Sequence, residues 1–172
     1  MRKLIVSLAV SLDGFIEGPN GEYDWCHYDP EYDIKNFLEE IDTIFMGRKT
    51  YEKINAMGGN PPGFPKFKEY VFSTTLVNVN NETILIGKDI KAEVKKIKQQ
   101  EGKNIWLFGG SRLTTSLMNL KLVDELILAV YPIVLAGGKP LFENIDSRVN
   151  LLLKEAKTFS TGIVLLTYTV LK

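Results

Sequence analysis

Short apolar runs alternate with helix-forming segments along this 172-residue chain, and twice the passage from run to helix goes directly through glycine. Phe45-Met46-Gly47-Arg48-Lys49-Thr50 is one such junction and Trp106-Leu107-Phe108-Gly109-Gly110-Ser111 is the other. Strands connected through helices lie parallel in a sheet, with the helices packed on its faces. The alternation therefore points to an α/β fold before any chemistry is considered.

The run from Leu4 to Val10 reads as a buried strand. It breaks at Asp13-Gly14 without the small-residue pattern of a cleavage site, so a strand is expected here in place of a signal peptide. A turn-rich stretch from Glu17 to Asp29 follows. Asp29-Pro30 then places a capping carboxylate before a proline, opening a helix whose apolar stripe is Ile34, Phe37, Leu38 and Ile41. Strands are expected at 43–46, 70–73, 83–86, 104–108 and 125–133, and helices at 48–58, 89–100 and 112–120. The segment from Leu135 to Phe142 reads as a glycine-bearing loop. The last two runs, 150–159 and 162–171, divided at Ser160-Thr161-Gly162, form a terminal hairpin. The order implies a mixed, mainly parallel sheet with helices on both faces and a C-terminal antiparallel hairpin. No linker, repeat or low-complexity tract divides the chain, which reads as one domain over residues 1–172.

Composition narrows the function classes. Lys plus Arg and Asp plus Glu number 21 each, so no global field draws the chain to nucleic acid or an anionic membrane. Any anion site must be local. No apolar stretch approaches the roughly 20 residues needed to cross a bilayer, and Cys26, alone of its kind, cannot form an internal disulfide. A reducing, cytoplasmic setting is expected. A single histidine and a single cysteine make no zinc site, and no metal is expected. Cys26 and His27 are adjacent, so in an extended chain their side chains would point to opposite faces and form no nucleophile-base pair. The run Lys95-Lys96-Ile97-Lys98 reads as the solvated face of a helix.

At each glycine junction the backbone can approach a ligand closely, and the helix start offers unpaired N–H groups with a partial positive charge. Both junctions suit phosphate. Arg48 and Lys49 add charge to the first, and Ser73-Thr74-Thr75 supplies hydroxyls just past another strand end, as an adenosine ribose or 2′-phosphate requires. Neither junction has the spacing of a G-x-G-x-x-G fingerprint or a P-loop, so a Rossmann domain and a P-loop NTPase are unsupported.

Five segments taken together are more specific: Ser11-Leu12-Asp13-Gly14-Phe15-Ile16, Met46 to Glu52, Val71-Phe72-Ser73-Thr74, Phe108-Gly109-Gly110-Ser111 and Asp124-Glu125-Leu126-Ile127-Leu128. In their order and spacing the chain resembles the dihydrofolate reductase-like superfamily, including the reductase domain of bacterial riboflavin biosynthesis, over nearly its whole length. The resemblance implies the three-layer dihydrofolate reductase-like fold and NADPH as cofactor. It assigns Gly47, Arg48, Lys49, Thr50, Phe108, Gly109, Gly110 and Ser111 to the cofactor's phosphate side, with Ser73 and Thr74 at the adenosine end. Trp25 and Asp33 are similar to the family's active-site tryptophan and helix carboxylate, with Phe37 one turn on as the ring-packing aromatic; a gapless comparison selects Glu31 in place of Asp33.

The same resemblance places Asp13, Phe37, Ala129 and Tyr131 on the substrate side. Two departures argue against folate. Phe67 stands where folate enzymes keep a tail-gripping arginine, and Lys66 and Lys68 do not replace that fork; Ala129 stands where they carry a threonine. The riboflavin branch shares the Leu12-Asp13-Gly14 turn and the segment from Tyr131 to Gly138, and it implies a homodimer. The implied activity is hydride transfer from NADPH to a C=N or C=O carbon of a small heterocyclic or ribosyl-bearing substrate, similar to 5-amino-6-(5-phosphoribosylamino)uracil reductase. The alternatives are a true dihydrofolate reductase and an NADPH-binding protein without turnover.

Overall fold

The computed structural model describes residues 1–27, 29–32, 34–60, 64–80 and 82–172. Among these, fourteen elements follow one another: β1 (Leu4–Ser11), β2 (Phe15–Glu17), α1 (Lys35–Glu39), β3 (Ile41–Gly47), α2 (Arg48–Ala56), β4 (Lys68–Phe72), β5 (Thr83–Ile86), α3 (Ile90–Gln99), β6 (Asn104–Gly109), α4 (Ser111–Asn119), β7 (Glu125–Tyr131), β8 (Lys139–Pro140), β9 (Leu151–Thr158) and β10 (Val164–Val170). Eight strands form one sheet in the order β5-β4-β3-β6-β1-β7-β10-β9. The pairs from β5 to β7 are parallel, and β10 joins β7 and β9 antiparallel. The mixed sheet with a terminal hairpin is the fold expected.

Strand β1 lies between β6 and β7 and is covered on both faces, which is why it reads as a nearly continuous apolar run. Leu4, Val6, Phe45 and Leu107, all fully buried, pack against Val94 and Ile97 of α3 and Leu113 and Leu117 of α4. Burying side chains of this size stabilises the fold by about 1.5–3 kcal/mol each. The opposite face carries Ile5, Ile44, Met46 and Trp106 beneath Phe37 of α1 and Tyr51 and Ile54 of α2. A third cluster, with Trp25, Ala129, Tyr131, Phe159 and Ile163, closes the carboxyl end near the hairpin. No described helix is long and apolar enough to cross a membrane.

Three expectations need correction. The helix opened by Asp29-Pro30 is only the five-residue α1, and Ile41 heads β3 instead of ending the helix stripe. Asp29 is buried and its carboxylate accepts from the Glu31 N–H (2.7 Å) and the Thr161 hydroxyl, so it ties this segment to the hairpin turn instead of capping a helix. The segment 135–142 is not wholly loop: Lys139–Pro140 pairs with β2 as a separate two-stranded ribbon, too short to leave a periodic signal. Lys98, read as solvated, is 3% exposed, because α3 turns it under the sheet with Ile97; Lys95 and Lys96 are exposed.

Candidate functional site

In open α/β sheets the carboxyl ends of the strands, where connections diverge to either side, form the crevice that takes ligands. Here β3 and β6 are neighbours and both end in the glycine junctions. Gly47 takes an extended conformation (φ −79°, ψ 162°) as the N-cap of α2, and Gly110 (φ −96°, ψ 172°) does so for α4. Neither helix has a side-chain cap, so the N–H groups of both first turns stay free of side-chain acceptors. The junctions touch: a Cβ on Gly47 would lie 3.7 Å from Leu113 Cβ and 4.0 Å from the Gly109 carbonyl oxygen. Thr50 Oγ1 would be 3.5 Å from a Cβ on Gly109 and 3.4 Å from one on Gly110. The Gly109–Gly110 peptide is cis.

Ser111, the first residue of α4, is 1% exposed, and its Oγ has no hydrogen-bond partner; neither has the buried Thr115 Oγ1 one turn on. A buried hydroxyl without a partner costs about 1–3 kcal/mol, so these two call for a partner from outside the chain, a water or a ligand. These residues fit a dinucleotide phosphate: two free helix starts, two hydroxyls and glycines that leave the backbone bare. Arg48 and Lys49 stand on the exposed side, where Arg48 reaches Glu52 at 3.5 Å. Ser73 Oγ accepts from the N–H groups of Thr75 (3.1 Å) and Leu76 (3.0 Å), which fixes the turn after β4, while Thr74 is exposed.

On the side where substrate is expected, the parallel register of β1 and β7 sets Ser7 beside Ile127, Ala9 beside Ala129 and Ser11 beside Tyr131, giving a floor of small and apolar groups. Tyr32 hydrogen-bonds Ser7 and stacks edge-on against Phe159 at 5.7 Å; burial pushes its phenol above the ordinary tyrosine range. Phe37 meets Trp106 edge-on at 5.2 Å, and Trp106 in turn meets Phe108 at 4.6 Å. Phe67 packs on Phe64 at 5.5 Å, within the same aromatic group. Trp25 is 8% exposed, meets Tyr131 edge-on at 5.4 Å, and keeps its Nε1 donor without a partner.

Tyr131 gathers residues that adjacency in sequence would have separated. Its hydroxyl donates to the His27 carbonyl oxygen (2.9 Å), Cys26 Sγ lies 3.7 Å from that hydroxyl, and the His27 ring stands edge-on at 5.4 Å. The turn at 24–25 breaks the extended geometry that would have set Cys26 and His27 on opposite faces. The imidazole Nδ1 lies 3.0 Å from the Trp25 carbonyl oxygen, so it is not directed at the thiol. Burial, reinforced by the Cys26 contact, pushes the Tyr131 phenol well above its usual range.

Asp13 is occupied by its own loop. Its carboxylate accepts from Ser11 Oγ (2.7 Å), Leu135 N–H (3.1 Å) and Ala136 N–H (2.8 Å). The Ser11 bond, with the two backbone bonds, holds its carboxyl below the usual range. Glu31 is exposed and accepts from Ser160 Oγ at 2.6 Å, which directs it to the hairpin turn. Asp33 lies outside the described residues. One residue with no motif of its own stands at the glycine turns: Lys139 Nζ would be 3.7 Å from a Cβ on Gly110. Its place in an apparent loop, far along the chain from both junctions, left no signal.

An eight-stranded sheet of this order, with glycine turns at the carboxyl ends of two adjacent strands, is the dihydrofolate reductase-like fold. Dihydrofolate reductase from Enterococcus faecalis, complexed with NADP(H), superposes with a TM-score of 0.66 at 20% identity, covering 99% of this chain and 97% of that one. A Shewanella sp. PV-4 protein superposes with a TM-score of 0.85 at 24% identity over 99% of both chains. Residues 2–165 match the family model of the RibD C-terminal domain, and the chain belongs to that family. The uncharacterized protein YyaP of Bacillus subtilis (strain 168) is 44% identical over 97% of this chain and 94% of its own length.

Proposed function

We propose that the chain is an NADPH-dependent reductase acting on a small heterocyclic or ribosyl-bearing substrate with a C=N or C=O acceptor carbon. The observation that carries the reading is the meeting of two helix starts without side-chain caps at Gly47 and Gly109-Gly110, beside a buried Ser111 hydroxyl with no partner. Membership of the RibD C-terminal domain family supports a substrate of the riboflavin pathway, similar to 5-amino-6-(5-phosphoribosylamino)uracil.

NADPH, when bound, supplies the hydride. The chain's own residues do the rest. The first turns of α2 and α4 and the Thr50 and Ser111 hydroxyls would hold phosphate, and Arg48, Lys49, Ser73 and Thr74 would serve the 2′-phosphate. Trp25 and Tyr131 wall the substrate side against water, with the Trp25 N–H available to an acceptor on the ring. Ala129 and Ile127 leave the floor flat. Asp33 would bind a ring N–H or help deliver the proton that the acceptor nitrogen or oxygen takes up with the hydride. Asp13 acts at one remove, by bracing the loop at 135–136.

Against folate as substrate stand Phe67, occupied with Phe64, and Ala129, which has no hydroxyl to offer. Dihydrofolate at micromolar concentration is expected to turn over poorly. The reading is tested by thermal shift with NADPH, with NADH and without ligand, since a ligand at 100 times its dissociation constant adds about 2.7 kcal/mol of stability. No shift with either dinucleotide would refute it; a shift without reduction of any pyrimidine acceptor would leave a binding protein without turnover.

A further inference from the structure

The ribbon of β2 and β8 brings to the glycine turns a cation that neither junction contains. Glu17 and Lys139 are register partners across the ribbon, and their half-buried side chains pair at 3.7 Å (Nζ to Oε2). The ribbon is tightly placed. Leu141 N–H donates to the Gly14 carbonyl (2.9 Å), and Gly138, at φ +128°, admits no side chain because a Cβ there would lie 2.1 Å from the Glu17 carbonyl oxygen. Lys139 Nζ is thus held 3.7 Å from the point a Gly110 Cβ would take, and Thr50 Oγ1 lies 3.4 Å from the same point. The next residue is Ser111, with its buried, unpartnered hydroxyl. Arg48 and Lys49, the cations evident in the sequence, stand instead on the exposed side.

We infer that Lys139 is the cation that binds the bridging pyrophosphate of the dinucleotide, and that Glu17 holds it in place until the anion arrives. The inference rests on the NADPH reading above. At 3.7 Å the Glu17–Lys139 pair is longer than the 2.7–2.9 Å or so of a charge-assisted hydrogen bond, so it is readily exchanged. A diphosphate across two helix starts offers the ammonium more negative charge than one half-exposed carboxylate does. Arg48 and Lys49 are then left to the 2′-phosphate, and the two phosphate groups are read by different parts of the chain.

Calorimetric titration of NADPH, NADH and adenosine 2′-monophosphate into the wild type and into Lys139→Met, Lys139→Arg and Glu17→Gln tests this, with melting temperatures recorded for each variant. Lys139→Met is expected to weaken both dinucleotides equally, by about tenfold or more, and to leave adenosine 2′-monophosphate, which lacks the pyrophosphate, unchanged. Lys139→Arg retains the charge and should stay within about threefold of the wild type, while Glu17→Gln frees the lysine and should bind as tightly or more tightly. Wild-type affinity in Lys139→Met overturns the role of Lys139 alone. Equal losses in Lys139→Met and Glu17→Gln would make the pair a structural brace and also overturn it. A wild type that binds neither dinucleotide overturns the cofactor reading and this role together.

Discussion

The two ends of the sheet are built on opposite terms. At the amino ends of the strands every described buried charge is met. Arg2 pairs with Asp42 and donates to Thr43 Oγ1 (2.6 Å), and Lys3 and Lys154 share Glu125 at 2.8 and 3.0 Å. Lys98, buried, donates to Asp124 and to the Leu122 carbonyl oxygen (2.8 Å), and Asp124 also accepts from Lys172 and the Leu4 N–H. A recess of about 300 Å³ opens there between Lys3, Asp124, Glu125 and Lys154, but its charges answer one another. At the carboxyl ends the described buried donors without partners accumulate: Trp25 Nε1, Ser111 Oγ and Thr115 Oγ1, beside two uncapped helix starts. Polar groups at the amino end hold the fold together, while these three at the carboxyl end find no partner within the described chain.

The sharpest way to break that contrast is at the saturated end. Asp124→Ala strands the Lys98 ammonium in a buried place, which costs about 3 kcal/mol or more, read by urea unfolding, with dinucleotide affinity unchanged. The same carboxylate sets a pH dependence. Burial would raise its pKa, but the hydrogen bonds from Lys172, Lys98 and the Leu4 N–H outweigh that and hold it below 3.8. A carboxyl whose folded pKa is depressed contributes stability at pH above its unfolded value, and that contribution is lost as pH falls through the folded one. Acid unfolding of the wild type should therefore steepen below about pH 4, and Asp124→Asn should flatten it.

Asp33→Asn should lower turnover by about a hundredfold with NADPH affinity unchanged. Glu31→Gln should leave turnover intact, because Glu31 is engaged with Ser160. The reverse outcome would move the pocket acid to Glu31. Arg48→Ala should weaken NADPH by about tenfold while NADH changes little, since one charge-assisted bond to the 2′-phosphate is lost; equal losses in calorimetry would remove that role. The smallest effect is the most diagnostic of the contrast. Ser111→Ala removes a hydroxyl that has no partner in the free protein, so free stability should hold or rise by about 1 kcal/mol while NADPH binds several-fold more weakly. A clear loss of free stability would show that Ser111 belongs with the saturated end after all.

The pair of glycine turns was legible because it is made of backbone. Glycine between an apolar run and a helix is a local pattern, and Gly47 and Gly109-Gly110 stand where that pattern said, as N-caps or next to one. The region around Trp25 and Tyr131 is made of side chains from distant segments, and there the sequence misleads. Asp29 looks like a helix cap but bonds across to Thr161, and Asp13, expected on the substrate side, also accepts from the backbone N–H groups of residues 135–136. Cys26 and His27, opposed in an extended chain, both meet Tyr131.

The sequence by itself determined the eight-stranded sheet, the helices α2, α3 and α4 and the two glycine turns, because strand and helix periodicity and glycine's freedom act over a few residues. Only the tertiary structure decided which polar groups find partners. Lys98 goes under the sheet to Asp124, Lys139 crosses a two-residue ribbon to Gly110, and Ser111 and Trp25 are buried with nothing to bond. Satisfaction of a buried hydrogen bond depends on what packing brings within about 3 Å, and that information lies in the register between strands.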